Sequence, residues 1–503
     1  MFAALFEVLE KVLTRRPLLS GFLLGLSVPF AFAPFYWFWL MPCALAGLFV
    51  IQYRLPVRLA IKSGFVFGFA AFGVGASWVY VSLHTFGGMP MLLAGFCVVV
   101  FVGILSLYPA LAALLYNRIS HSNIHIQLLC IMPAFWVLIE VLRNYLFGGF
   151  PWLETGYSQS GIFLDVYAAI TGVHGLSLIV AIQAGCLASI CLCKAKNCLI
   201  PVVILMMIII GGKVLSWHDW TQPRGDTINV AMVQSVIPIE TKWNPEKRKY
   251  ILDKYFRLSS QFNDAELIIW PEAAIASSLD QLDADFFEQL QRLNKPLLAG
   301  FVERGYGEKI NDSYNAAVLF AEEPDIYRKR HLVPFGEYMP LRFMLDPITH
   351  YLNIPNSSMS PWNEYQSPMY FAGHRLGIGI CFEEAFPADM RNIAKDADVL
   401  INLSEDAWFG RSLGPHQRLQ MAQIRAIETG RPSLRSSNTA LTSLIDHKGR
   451  IVKITKSHVE EVLQVIVQPR QGLTPYMRYG DFLVFLILAV MCLPGAFSRW
   501  RSR

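Results

Sequence analysis

The chain has 503 residues, 54% of them hydrophobic and only 16% charged. Soluble domains carry about 25% charged residues, so much of this chain is expected to face lipid. The net charge of +5 is modest, and without a basic run interleaved with aromatics no nucleic-acid partner is expected.

In chain order, apolar stretches of spanning length run over about 17–33, 36–53, 60–82, 91–116, 127–147, 163–191, 198–216 and 481–497. About 20 apolar residues cross the hydrocarbon core, so the pattern predicts eight transmembrane helices. Several are interrupted by Gly and Pro, which such helices tolerate. The first is not read as a removable signal peptide, because no small-residue cleavage site follows it and further spans succeed it at once. Positive charge falls at Lys11, Arg15 and Arg16, at Arg54 and Arg58, at Arg118, at Lys194 and Lys196, and at Arg499, Arg501 and Arg503, while 83–90 and 148–162 carry no Lys or Arg. By the positive-inside rule both termini are expected in the cytoplasm and 217–480 outside the inner membrane. The expected organisation is a seven-helix membrane domain over 1–216, an extracytoplasmic domain over 217–480, and a last helix with a cytoplasmic tail over 481–503.

Segment 217–480 has the pattern of a layered α/β fold. Short β-rich runs are predicted at 228–233, 266–270, 297–301, 315–320, 376–380, 398–403 and 441–446, with helical patterns at 246–262, 280–293 and 415–429. Alternation of this kind builds stacked sheets and helices. No Walker loop, GxGxxG turn or HExxH helix is present, and no cofactor is expected.

Of the nine cysteines, Cys43, Cys97, Cys130, Cys186, Cys191, Cys193, Cys198 and Cys492 lie in or beside apolar stretches, where packing accounts for them. Cys191, Cys193 and Cys198 lie near lysines and no histidine, so no metal site is expected. Cys381 stands apart in the polar half, within Gly377-Ile378-Gly379-Ile380-Cys381-Phe382-Glu383-Glu384. A lone thiol is more often buried and inert; here two carboxylates follow within three positions, and a catalytic reading opens. Two further clusters lie at or near the ends of predicted strands. Trp270-Pro271-Glu272 carries a carboxylate where active sites of α/β sheets gather, although alone it reads first as a solvated loop. Tyr327-Arg328-Lys329-Arg330-His331 reads equally as a basic surface, but the stiff Pro334-Phe335-Gly336-Glu337 that follows is more than an exposed patch requires. Together the three clusters supply a base, a cation and a soft nucleophile, which is the chemistry of acyl transfer.

These three motifs resemble the Glu–Lys–Cys motifs of the nitrilase, or carbon–nitrogen hydrolase, superfamily. With the flanking spans, the whole chain is similar to the apolipoprotein N-acyltransferase family, as are Gly149-Phe150-Pro151-Trp152-Leu153, Asn402 through Gly410, and Gly472-Leu473-Thr474-Pro475-Tyr476. The resemblance implies a nitrilase-like αββα sandwich beside the multispanning helical domain. It implies Glu272 as general base, Lys329 as catalytic lysine and Cys381 as nucleophile, with Glu337 and Glu383 as supporting carboxylates and Asn315 and Trp243 nearby. Phe382 stands where the family often has Tyr, so the ring is kept and the hydroxyl is lost. The implied reaction is ping-pong. Cys381 takes the sn-1 acyl chain of a phospholipid, phosphatidylethanolamine by expectation, and passes it to the amine of a diacylglyceryl-cysteine on an apolipoprotein in the bacterial inner membrane. A monomer is expected. Two other readings stay open on the residues alone. One is a membrane-tethered amidase with water as acceptor; the other is a transporter or sensor, for which Glu140, Arg143, Asp165 and Lys213 weigh lightly. The apolar positions Leu345, Ile348, Tyr351, Leu352 and Ile354 read as a lid or as a plain surface loop.

Overall fold

The computed structural model describes residues 2–193, 197–305, 312–339 and 359–501. The lid reading at Leu345–Ile354 and the charges of Lys194 and Lys196 fall outside the described residues. The chain forms two compact units: Met1–Tyr80 with Met91–Asp219 and Arg478–Arg503, and Val81–Pro90 with Trp220–Met477.

The first unit is helical. Four of its helices are long and apolar enough to cross a membrane: Val57–Gly75, Met91–Arg118, Ile124–Gly148 and Asp165–Leu192. Shorter apolar helices cover Pro17–Ala31, Leu40–Arg54, Leu199–Leu215 and Phe482–Ser498. Length thus qualifies four crossings where the hydropathy pattern predicts eight. One physical reason is visible at Val28–Ala31, where a 3₁₀ turn containing Pro29 tightens the end of the first apolar stretch. Among the described residues no ion pair joins Glu140 to Arg143. Glu140 instead accepts from Thr155 N at 2.9 Å, and the Arg143 guanidinium lies 4.9 Å from the Phe72 ring centre.

The second unit is built on two six-stranded sheets and one short pair. Its strands are β1 (Gln222–Pro223), β2 (Ile228–Gln234), β3 (Leu267–Ile269), β4 (Leu297–Arg304), β5 (Ser313–Phe320), β6 (Asp325–Arg328), β7 (Met369–Phe371), β8 (His374–Ile380), β9 (Val399–Ser404), β10 (Ser433–Ser437), β11 (Ser443–Ile445), β12 (Ile451–Ile454), β13 (Glu461–Val467) and β14 (Arg470–Gln471). One sheet runs β13-β2-β3-β4-β5-β6, the other β12-β11-β10-β9-β8-β7, and β1 pairs with β14. Each sheet has two adjacent parallel pairings, β2–β3–β4 and β8–β9–β10, with antiparallel pairings on either side. The two sheets therefore repeat one topology. Glu272 follows β3 in one sheet and Cys381 follows β8 in the other.

Alternation along the strands explains the layers, since successive side chains face opposite sides. Ile228, Val230 and Met232 of β2 join Leu376, Ile378 and Ile380 of β8 in one core between the sheets. Ala231 and Val233 point the other way, into a core with Ile251, Tyr255, Phe256 and Phe286 from helices Arg248–Ser259 and Ala284–Leu293. On the outer face of the second sheet, Leu400 packs with Met390 and Ala394 of helix Pro387–Ala394. Helix Gly414–Thr429 contributes Leu419, Ala422 and Ala426 against Ile445. The order is helix, sheet, sheet, helix. Gly377 permits the close helix contact there, because a Cβ at that position would stand 3.0 Å from Ile393 Cγ2 on helix Pro387–Ala394. The segment Val81–Pro90 belongs to this unit through Ser82, whose hydroxyl donates to Trp408 O at 2.8 Å, and through Phe86, whose ring lies edge-on to Trp408.

Candidate active site

Three strand ends bring the predicted residues together. After β3, Trp270 is fully buried, stacks on Tyr255 with ring centres 4.8 Å apart and donates from Nε1 to Ser259 Oγ at 2.9 Å. That anchor fixes where Pro271 and Glu272 emerge. Gly300 on β4 lets the turn pass closely, since a Cβ there would come within 2.7 Å of Glu272 Cα. Lys329 directly follows β6 and donates its backbone N–H to Asn315 O on β5 at 2.8 Å. Cys381 directly follows β8 and opens the 3₁₀ turn Cys381–Ala385 with φ of +51°. A non-glycine residue in the left-handed region costs about 1–3 kcal/mol and persists where its surroundings enforce it.

The side chains form one buried cluster. Lys329 Nζ donates to Glu337 Oε1 at 2.9 Å and lies 3.6 Å from Glu272 Oε1. Asn315 Nδ2 donates to both carboxylates, at 2.7 Å to Glu272 Oε1 and 2.6 Å to Glu337 Oε1. Two acceptors on one nitrogen also fix which way this amide points. The other oxygens are satisfied by backbone: Glu272 Oε2 accepts from Glu405 N at 2.7 Å, and Glu337 Oε2 from Val333 N at 2.8 Å. The latter bond closes the turn that carries Pro334 to Glu337, with Phe335 at φ +64°.

Glu383 has a different task. Its carboxylate accepts from Ile380 N at 2.7 Å, Arg330 N at 2.8 Å and Tyr327 Oη at 3.1 Å. It therefore ties the Cys381 turn to the strand end that bears Lys329. Burial raises its pKa, and the backbone N–H groups of Ile380 and Arg330 oppose that rise. Phe382 packs edge-on against His331 and Phe386, with ring centres 5.6 and 4.9 Å away. Trp243 lines a small cavity with Asn244, Ala274 and Ala276. Among the described residues no hydrogen bond or ring contact joins it to Glu272 or Cys381.

The electrostatics set the resting protonation. Burial pushes the Cys381 thiol up to about 12, and the Glu272 charge adds to the rise, while Arg418 and Lys329 pull the other way. Burial works against the Lys329 ammonium, but the charges of Glu337 and Glu272 prevail and hold its pKa above the ordinary lysine value. At neutral pH the thiol is protonated and the lysine is a cation, set between the side chains of Glu337 and Glu272. Such a set can deprotonate a nucleophile during attack and face the developing oxyanion with a cation.

Four charged residues near the cluster carried no role in the sequence reading. Lys242 is buried, donates to Glu272 O at 3.0 Å and pairs with Glu405, which also accepts from Asn438 Nδ2 at 2.9 Å. Arg418 reaches Cys381 itself, and Asp406 pairs with Arg418. Glu405 and Asp406 lie inside the motif Asn402 to Gly410; nothing local in the sequence distinguishes Lys242 or Arg418 from solvated bases. Among the described residues no group of His, Cys, Asp and Glu is arranged to hold a metal.

The two-sheet fold with its Glu, Lys and Cys at strand ends defines a carbon–nitrogen hydrolase domain, and residues 229–475 match the model of the carbon–nitrogen hydrolase family. Residues 24–186 match the apolipoprotein N-acyltransferase N-terminal domain. The apolipoprotein N-acyltransferase of Methylococcus capsulatus is 36% identical over 462 residues, covering 91% of each chain. That of Nitrosomonas europaea is 36% identical over 494 residues, covering 97% of this chain and 98% of its own. Among solved structures, a branch 10 nitrilase-superfamily member from Saccharomyces cerevisiae is 18% identical, covers 49% of this chain and 91% of its own, and has a TM-score of 0.37. The chain belongs to the apolipoprotein N-acyltransferase family. It is an acyltransferase of lipoprotein biosynthesis.

Proposed function

We propose that this enzyme moves the sn-1 acyl chain of a phospholipid, phosphatidylethanolamine by preference, to the α-amine of the diacylglyceryl-cysteine at an apolipoprotein N-terminus. Cys381 is the nucleophile. Its Sγ attacks the ester carbonyl as Glu272 takes the thiol proton, and the oxyanion forms beside Lys329. Collapse breaks the acyl C–O bond, and Glu272 returns the proton to the departing lysophospholipid oxygen. The thioester is then attacked by the amine; Glu272 accepts the amine proton and passes it to the leaving Cys381 sulfur. Splitting one difficult transfer into two steps is what the covalent intermediate achieves. Glu337 and Asn315 hold Lys329 and Glu272 in place, Glu383 braces the Cys381 turn, and Trp243 and Phe382 are further supporting residues.

The single observation that carries this reading is the buried lysine shared between Glu337 at 2.9 Å and Glu272 at 3.6 Å. A desolvated cation held by two carboxylates stands ready to receive negative charge. The hydropathy and Lys/Arg pattern support an inner-membrane protein with eight spans, divided as 1–216, 217–480 and 481–503; a monomer is part of the proposal. In that reading the catalytic domain is periplasmic and both termini are cytoplasmic. To test the function, purified protein is given phosphatidylethanolamine labelled in its sn-1 chain and a diacylated lipopeptide. Labelled triacylated lipopeptide with lysophospholipid is the expected outcome. Labelled free fatty acid with an unmodified lipopeptide overturns the assignment in favour of hydrolysis. Protease added to intact spheroplasts should cleave within 217–480, and full protection of that segment contradicts the orientation.

A further inference from the structure

The buried charges behind Cys381 form a set that the proposed reaction has not used. Arg418 lies on helix Gly414–Thr429, and its side chain is almost wholly buried. Its two terminal nitrogens reach two atoms of one residue. Nη1 lies 3.5 Å from Cys381 Sγ, and Nη2 donates to Cys381 O at 2.7 Å. Nη2 also donates to Ser404 Oγ at 3.1 Å, and Asn402 Nδ2 approaches the same Cys381 carbonyl at 3.4 Å.

The guanidinium is held from behind. Asp406 pairs with Arg418, and Glu384 stands 3.6 Å away. Arg435 binds the same two carboxylates, at 3.1 Å to Glu384 and 2.7 Å to Asp406, and Ser437 Oγ donates to Asp406 at 3.0 Å. Two cations and two anions are buried together and cancel in charge. A buried ionic set of this kind is weak evidence of stabilisation, since apolar replacements are often as stable. What distinguishes Arg418 within it is its contact with the sulfur.

We propose that Arg418 is a positioning residue for the nucleophile, which holds the Cys381 carbonyl in its left-handed turn and sets a fixed positive charge against Sγ. The inference rests on the reading of Cys381 as nucleophile. As the S–H bond breaks and its proton passes to Glu272, the charge left on sulfur forms against the Nη1–H group. The same charge returns, and is met by the same group, when the thioester is opened by the amine. A planar fork with two terminal N–H groups serves sulfur and carbonyl at once, which a point ammonium does not.

The test reads the thiol directly. Purified full-length protein is alkylated with iodoacetamide from about pH 6.5 to 9.5, where rate follows the thiolate fraction, and the Cys381 peptide is quantified by mass spectrometry. Arg418→Met should alkylate about tenfold more slowly at each pH, equivalent to a displacement of about one pH unit. Arg418→Lys, which keeps the charge, should recover most of that rate yet still lose acyl transfer. A purely structural role would alter the melting temperature without this displacement. Should Arg418→Met fail to fold, Arg418→Met with Asp406→Asn keeps the cluster neutral and is read identically. Alkylation along the wild-type line in the folded Arg418→Met protein, or in that double variant, overturns the proposal. Full acyl transfer by Cys381→Ala would instead overturn the nucleophile reading, and the alkylation comparison does not depend on turnover.

Discussion

Lys329 Nζ is hydrogen-bonded to Glu337 Oε1 at 2.9 Å, and this carboxylate is its nearer anionic partner, ahead of Glu272. The division of labour follows. Glu337 anchors the ammonium, and Glu272, at the longer distance of 3.6 Å, is the group that takes the thiol proton in the proposed reaction. Glu337→Gln keeps the shape and one acceptor but removes the anchoring charge, so Lys329 should shift onto Glu272. The expected result is a fall in kcat/KM of about 10²–10³, in the range for loss of one oxyanion-stabilising group, with a near-normal melting temperature. Steady-state acylation of a diacylated lipopeptide measures it.

Lys329→Arg retains charge but replaces a compact ammonium with a wide, planar fork. The pocket between Glu337, Glu272 and Asn315 is closed around a single nitrogen. Loss of acyl-enzyme formation is expected in a folded protein. Turnover within a few-fold of wild type would count against the oxyanion role given to Lys329.

The Cys381 thiol, raised by burial to about 12, gives a signed pH dependence. Below that value the protonated form dominates, so at pH 8 only about one part in 10⁴ is thiolate. Alkylation of Cys381 by iodoacetamide should climb about tenfold per pH unit and show no plateau below about pH 11, whereas an ordinary cysteine levels off above about pH 8.5. Acyl transfer itself should not track that curve, because the base removes the proton within the reaction. An alkylation plateau near pH 8 would show a thiol already activated at rest.

Lys242 and Glu405 are a buried pair that also clamps the Glu272 carbonyl. Lys242→Met leaves Glu405 without its cation, and removal of one partner of such a pair costs about 3–5 kcal/mol. The melting temperature should fall accordingly. Lys242→Met with Glu405→Gln should recover part of the loss, which thermal unfolding of both variants will show.

Cys381 directly follows the predicted run 376–380 and Glu272 stands two residues past 266–270, where α/β folds gather chemistry. Lys329 follows β6, which is not among the predicted runs, and is singled out from its basic neighbours only through resemblance. Asn315 sits inside β5, where its polar side chain carries no local signal, and it emerged only through resemblance. The strand β10, Ser433–Ser437, was not among the predicted runs, for its sequence is SLRSS. It is nevertheless wholly buried, because Arg435 meets Glu384 and Asp406, and Ser437 Oγ donates to Asp406. Arg418 was invisible for a related reason. Its helix is buried on nearly every side, so periodicity offers no solvent face on which to place a cation and no clue that this one points inward. The helical stretches were readable from hydropathy, but their lengths were not, since turns such as Val28–Ala31 cut into them.

The most direct test of the central claim is mass spectrometry of the enzyme after incubation with phosphatidylethanolamine and no acceptor. The predicted result is a thioester adduct of one acyl chain on the Cys381 peptide, discharged by hydroxylamine or by a diacylated lipopeptide and missing from Cys381→Ala. Wild-type enzyme without an adduct, alongside a Cys381→Ala protein that still acylates lipopeptide, would contradict it.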